Sequence, residues 1–124
     1  MLRAQGGVEI PGVEILVGSN FQYLTGTPYT GLANVTLPQG VRPIYIEPFG
    51  SRRLSSQEIL DLRISKIFPL GSTRSVEVLG DILNALNDTA EEGVATRNVF
   101  SPNFAVGTDF LTPRRAMLGV KFSF

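Results

Sequence analysis

Seven charged side chains are the ones in this 124-residue sequence best placed to do chemistry: the carboxylates Glu14, Asp61, Glu77 and Asp81, and the cations Arg63, Arg115 and Lys121. Carboxylates brought together in pairs can shuttle protons or hold a cation. The other parts of an active site are missing. The chain has no His and no Cys, which excludes zinc sites, thiol nucleophiles, disulfides and imidazole acid–base catalysis. It also lacks the glycine spacing of a phosphate loop. All seven charges fall on the polar side of an alternating apolar/polar pattern, so a solvated sheet face is the better reading. There Arg63, Arg115 and Lys121 pair with carboxylates of neighbouring strands. No residue is given a catalytic role, and no metal or cofactor is expected.

The pattern itself predicts four strands, near residues 13–25, 58–69, 74–87 and 114–124. In the last, Ala116, Leu118, Val120, Phe122 and Phe124 share one face, while Arg115, Met117, Gly119, Lys121 and Ser123 share the other. In the first, Val13, Ile15, Val17, Phe21 and Tyr23 alternate with Glu14, Gly18, Asn20 and Gln22. Leu60, Leu62, Ile64 and Phe68 face away from Asp61, Arg63 and Ser65, with Lys66 on the apolar side near its end. Val76, Val78, Ile82 and Leu86 oppose Glu77, Asp81 and Asn87. Helix is the rival over 57–68 and 76–87, where Ile82, Leu83 and Leu86 also fit a helical stripe. Val8-Glu9-Ile10 is the tail of a further strand before the Pro11-Gly12 turn. Residues 26–59 and 89–113 read as long loops, with Arg42–Glu47 a short strand inside the first. Structureless loops of that length are uncommon in compact soluble domains.

Equal numbers of Lys+Arg and Asp+Glu, 11 each, argue against a nucleic-acid partner. No apolar run is long enough for a membrane helix. Met1–Gly7 has no apolar core and does not read as a secretory signal.

Three segments carry a resemblance to a known family. Thr25-Gly26-Thr27-Pro28-Tyr29-Thr30 is similar to an (S/T)G-x-PYT segment. Residues 60–71, LDLRISKIFPLG, with VEVLGDILNALN after a short turn, resemble a penultimate hairpin ending in D-x-(F/L)N-x-(L/F)N. Asp81, Asn84, Leu86 and Asn87 match that ending, and Leu83 stands where Phe is commoner. The third is the alternating strand ending on Phe124. Together, over roughly residues 13–124, they resemble the end of the transport barrel of TonB-dependent outer-membrane receptors, nearest to those with a carboxypeptidase-like repeat at the N-terminus.

The resemblance implies an all-β antiparallel meander of about four to five strands, the C-terminal part of a transmembrane β-barrel in the bacterial outer membrane. It implies that residues 1–124 are one incomplete domain, with signal peptide and plug in a missing N-terminal part. The implied function is uptake of a nutrient such as a metal chelate, vitamin or glycan; the particular small ligand is open. Leu118, Val120, Phe122 and Phe124 would face outer-membrane lipid and present the signal read by the barrel-assembly machinery. Glu14, Asp61, Arg63, Glu77, Asp81, Arg115 and Lys121 would face the polar lumen. An inner-membrane energy-coupling complex would act through the plug. The turns at 11–12 and 69–73 would be periplasmic and the long loops extracellular. A small soluble all-β binding module is the alternative.

Overall fold

The computed structural model describes residues 1–124 and contains nine strands and no helix. In chain order they are β1 (Leu2–Ile10), β2 (Ile15–Leu24), β3 (Pro28–Tyr29), β4 (Leu32–Leu37), β5 (Gly40–Tyr45), β6 (Arg52–Arg53), β7 (Gln57–Pro69), β8 (Ser75–Leu83) and β9 (Arg115–Ser123). The helix alternative over 57–68 and 76–87 is overturned, since the first segment is strand throughout and the second is strand as far as Leu83 and turn beyond it. Their β-branched residues, Ile59, Ile64 and Ile67 in one and Val76, Val78 and Ile82 in the other, suit a pleated surface.

The chain forms two units. The first, Met1–Leu24 with Glu58–Asp88 and Thr112–Phe124, is built on one five-stranded sheet in the order β1-β2-β7-β8-β9. This is the chain order, interrupted only by the excursion through β3–β6. β1 pairs antiparallel with β2, β7 with β8, and β8 with β9.

Register sorts the side chains into two coherent faces. Val76 stands opposite Phe68 and Phe122, Val78 opposite Lys66 and Val120, and Ile82 opposite Leu62 and Ala116. On β1 and β2 the same face carries Val8 opposite Val17 and Ala4 opposite Phe21. The other face carries Arg63 opposite Asp81 and Glu77 opposite Lys121. A one-residue slip would exchange the faces, so this pattern specifies the register.

Nothing in this unit covers the apolar face. Leu118 is 85% exposed, Phe122 67% and Val8 66%. No large side chain of the protein is fully buried, and the buried hydrophobics are Ala33 and Ala90.

Four boundaries differ from expectation. The first strand begins at Ile15, because Pro11–Glu14 is a turn with Gly12 at φ 90° and Glu14 at φ 51°. Val8–Ile10 extends back to Leu2 as a full strand. β8 stops at Leu83, four residues short of Asn87, because Asn84 turns into the left-handed region at φ 53°. Asn tolerates that region better than other non-glycine residues. The last paired residue is Ser123, so Phe124 lies just past the strand, fully exposed.

The second unit, Thr25–Gln57 with Thr89–Leu111, is made of the two long connections. Residues 26–59 are more ordered than the absence of a pattern implied. β4 and β5 form a hairpin over Pro38-Gln39, and β3 pairs with β6. Glu47 closes the turn between β5 and β6. Its carboxylate accepts hydrogen bonds from Gly31 N at 3.1 Å and Ser51 Oγ at 3.1 Å, and pairs with Arg52 at 2.6 Å. Gly31 leaves room for this carboxylate, since a Cβ there would lie 2.8 Å from Glu47 Oε2 and 3.0 Å from Val99 Cγ1 and would displace them. The Arg52 guanidinium also sits 4.9 Å from the centroid of the Phe104 ring.

The Arg52 hydrogen bond, helped by Gly31, Ser51 and the Arg52 charge, lowers Glu47 to about 2 from 4.5. The folded value lies below the unfolded one, so the stability Glu47 contributes is full above pH 4.5 and disappears as pH falls through about 2. The order of the 47–52 turn should therefore decline across that window in the wild type. Glu47→Gln should remove this pH-dependent component. Nuclear magnetic resonance of the Gly31 and Ser51 amides against pH checks it. Identical profiles in the two proteins would refute the assignment.

Candidate functional site

Strand alternation places the site residues on the polar face of the five-stranded sheet. A recess of about 520 Å³ opens there over β1, β2, β7 and β8. Its floor lacks side chains because Gly7 stands directly opposite Gly18. Gly18 in turn abuts Arg63, whose Cβ would be 4.0 Å from a Cβ at that glycine. Arg63 covers little of this floor, because its guanidinium is held by Asp81 on the far side. Nε lies 2.5 Å from Oδ1 and Nη2 2.8 Å from Oδ2, a two-pronged pair. Asp81 is buried, whereas the Arg63 side chain is 63% exposed and edges the recess.

The opposite wall is made of amides and one more carboxylate. Gln5 stands opposite Asn20, and Asn20 Nδ2 reaches Asp61 Oδ2 at 3.5 Å. Asn20 Oδ1 is buried without a partner. Two carboxylates against one guanidinium leave the recess net negative. Its chemistry is hydrogen bonding to a neutral or cationic polar solute. It holds no nucleophile with an adjacent base, and no group of three His, Cys, Asp or Glu is placed to hold a metal ion.

Asp61 has a second role. Its Oδ1 accepts the backbone N–H of Asn84 at 3.0 Å. Asn84 is 5% exposed and is the centre of a clasp where β7, β8 and β9 end or begin. Asn84 Nδ2 donates to the carbonyls of Asp88 and Thr112, both at 2.9 Å, and Oδ1 accepts from Asp88 N at 3.1 Å. Asp88 Oδ2 accepts from Glu58 N at 2.6 Å, and Asn87 Oδ1 accepts from Arg114 N at 3.0 Å. Ala85 N donates to the Leu60 carbonyl at 2.7 Å. The Asp81–Asp88 motif thus ties three strands together at one end of the sheet. Backbone groups that end a ladder need such partners.

The seven polar residues singled out in the sequence fare differently. Asp61, Arg63 and Asp81 converge on the recess. Glu77 and Lys121 share the polar face, directly opposite each other. Arg115 is on that face but stands opposite Leu83, not a carboxylate. Glu14 is corrected: it lies in the β1–β2 turn, not in a strand. It lines a second recess of about 460 Å³ with Glu9, Glu77 and Ser65. Its carbonyl accepts from Ile67 N at 3.2 Å. Leu118, Val120 and Phe122 lie on the apolar face as expected, with Phe124 beyond the last pair. Sequence reasoning missed Gln5, Asn20 and the clasp role of Asn84. The available signal was Asn20 and Gln22 on the same alternate positions as Gly18.

Searches of protein-family models, curated proteins and solved structures found no match for this chain.

Proposed function

We propose that this chain is a wall segment of an outer-membrane β-barrel of the TonB-dependent receptor type, importing a nutrient solute across the bacterial outer membrane. One observation carries the reading: a five-stranded sheet that is apolar and exposed along one face, while the other gathers the charged residues, with Leu16, Ile67, Leu79 and Met117 among them. Its strands have 9, 10, 13, 9 and 9 residues. A tilted membrane strand needs about 9–11. Along β7 the apolar positions from Leu60 to Phe68 cover about 26 Å at the usual strand rise, which spans about 20 Å of membrane depth at the usual barrel tilt and so most of the apolar band.

The antiparallel order places aromatic residues at both ends of this face. Phe21 and Tyr23 close β2 at one end, and Phe68 and Phe122 close β7 and β9 at the other, as interfacial girdles require. The connections are short at the β1–β2 and β7–β8 ends and long at the opposite end, as such barrels have them. Further strands would pair with β1 and β9 to complete the barrel. The 520 Å³ recess would then face the transport path, and a plug coupled to inner-membrane energy would gate it. The nutrient, plug and coupling complex belong to the resemblance in the sequence.

The lack of Cys makes a direct test simple. Single cysteines at 117–122, labelled with a polarity-sensitive fluorophore after folding into vesicles, should be quenched by lipid-borne nitroxide with a period of two. Quenching is expected at 118, 120 and 122 and not at 117, 119 and 121. Uniformly absent quenching would overturn the membrane reading in favour of a soluble module.

A further inference from the structure

We propose that the short-turn end of the apolar face holds the headgroup phosphate of an anionic phospholipid between Lys66 and Arg74, a proposal that rests on the membrane reading above. Lys66 is the observation that prompts it. From Leu60 to Phe68 every other position on its side of β7 is apolar: Leu60, Leu62, Ile64 and Phe68. Its cross-strand partner is Val78, which is opposite Val120 in turn. A lysine in mid-band would be costly on a lipid-facing strand, and the cost fades towards the interface. Lys66 is two residues from the end of the band, and its ammonium lies 5.0 Å from the centroid of the Phe68 ring. The ammonium is thereby directed along the face towards the short turn, where a headgroup would lie.

Arg74 supplies a second cation at the same end. It is one position before β8, where the alternation carried on from Val76 would put it on the apolar side, and it is exposed. Its carbonyl accepts from Leu70 N at 2.8 Å, which fixes the turn that carries it. The carboxylates of this end, Glu9, Glu14 and Glu77, gather at the recess on the opposite face. The apolar side is therefore locally cationic although the chain as a whole is neutral.

Room for an acyl chain lies next to these cations. Gly80 stands opposite Ile64 and Leu118, and a Cβ there would meet nothing within 4 Å. Its missing side chain opens an apolar groove of about 220 Å³ bounded by Leu62, Ile64, Ile82, Ala116 and Leu118. The groove begins two residues from Lys66 along the strand direction, about 7 Å. A phosphate at Lys66 and Arg74 would thus leave its acyl chain against the groove. Charge complementarity selects an anionic over a zwitterionic lipid, since the two basic side chains outnumber Asp81, the one carboxylate residue lining the groove, which is paired with Arg63.

The test is partition of the full chain, diluted from denaturant, into phosphatidylcholine vesicles with or without a minority of phosphatidylglycerol. Near an anionic surface each basic side chain strengthens binding roughly fivefold, so the two cations should give the phosphatidylglycerol vesicles an advantage of roughly 25-fold. Lys66→Gln with Arg74→Gln should abolish the advantage and leave partition into phosphatidylcholine and the strand signal there intact. Lys121→Gln, on the polar face, should keep it, and so should Lys66→Arg with Arg74→Lys. Equal partition of the wild type into both vesicles overturns the headgroup site alone. So does an advantage that survives the double glutamine variant. Failure to enter either vesicle overturns this site and the membrane reading together. Because the net charge is zero, a general attraction to anionic surfaces does not predict the advantage.

Discussion

Asn84→Ala should be strongly damaging, costing about 4 kcal/mol of folded-state stability in detergent micelles. Three side-chain hydrogen bonds vanish, at about 1 kcal/mol each, and an alanine forced to positive φ adds about 1 more. The carbonyls of Asp88 and Thr112 and the amide of Asp88 lose their Asn84 partner. Asn84→Gly separates the two contributions. It relieves the backbone cost and not the hydrogen bonds, so it should recover about 1 kcal/mol. Urea unfolding of the micelle-folded chain, followed by far-ultraviolet circular dichroism, measures both. If both variants unfolded within 1 kcal/mol of wild type, the clasp would not hold the strand ends. Asp61→Ala should cost less, because it removes the single bond to Asn84 N and a long contact to Asn20.

The second large effect concerns solvent. Diluted into plain buffer, the chain should aggregate, whereas in micelles it should stay dispersed with full strand signal. Ordering a backbone costs about 1–2 kcal/mol per residue and must be offset mainly by burying apolar surface. Here that surface remains outside: Leu2, Val8, Ile64, Leu118, Val120 and Phe122 are all exposed. β1 and β9 also present unpaired edges of nine residues each, long enough to template association. Analytical ultracentrifugation in the two solvents makes the comparison. A monodisperse monomer in buffer that melts cooperatively would overturn the expectation, and with it the barrel proposal.

The faces of the sheet were legible in the sequence because strand alternation has a fixed period of two. Leu60–Phe68, Val76–Ile82 and Ala116–Phe122 required nothing beyond counting. β1 was less visible: Gln5-Gly6-Gly7 interrupts its alternation, and only pairing with β2 extends it back to Leu2. The end of β8 was misplaced because Leu86 keeps the apolar beat after the backbone has turned at Asn84. Pattern counts side chains and does not register a left-handed φ. Glu14 was misjudged for the same reason, since its position in phase with Leu16 conceals the turn that carries it. The recess was half legible. Asp61, Arg63 and Asp81 follow from alternation, but Gln5 and Asn20 join them only through strand order. Of the loop hairpin, β5 was legible in part as a short strand over 42–47, whereas β4 was not.

The second unit constrains how such loops can diverge. Segments 25–57 and 89–111 share hydrogen bonds: Leu32 N donates to the Arg97 carbonyl at 2.7 Å and Val99 N to the Leu32 carbonyl at 2.9 Å. The Arg52 guanidinium also rests on Phe104, from the opposite segment. Neither excursion is therefore a free cassette. Grafting one onto another scaffold would strand backbone groups at Leu32 and deprive Arg52 of its ring, whereas grafting both would carry the contacts along. Natural variation in these segments should accordingly be correlated. Recombination breakpoints between residues 57 and 89 should be selected against more strongly than breakpoints on either side of the pair.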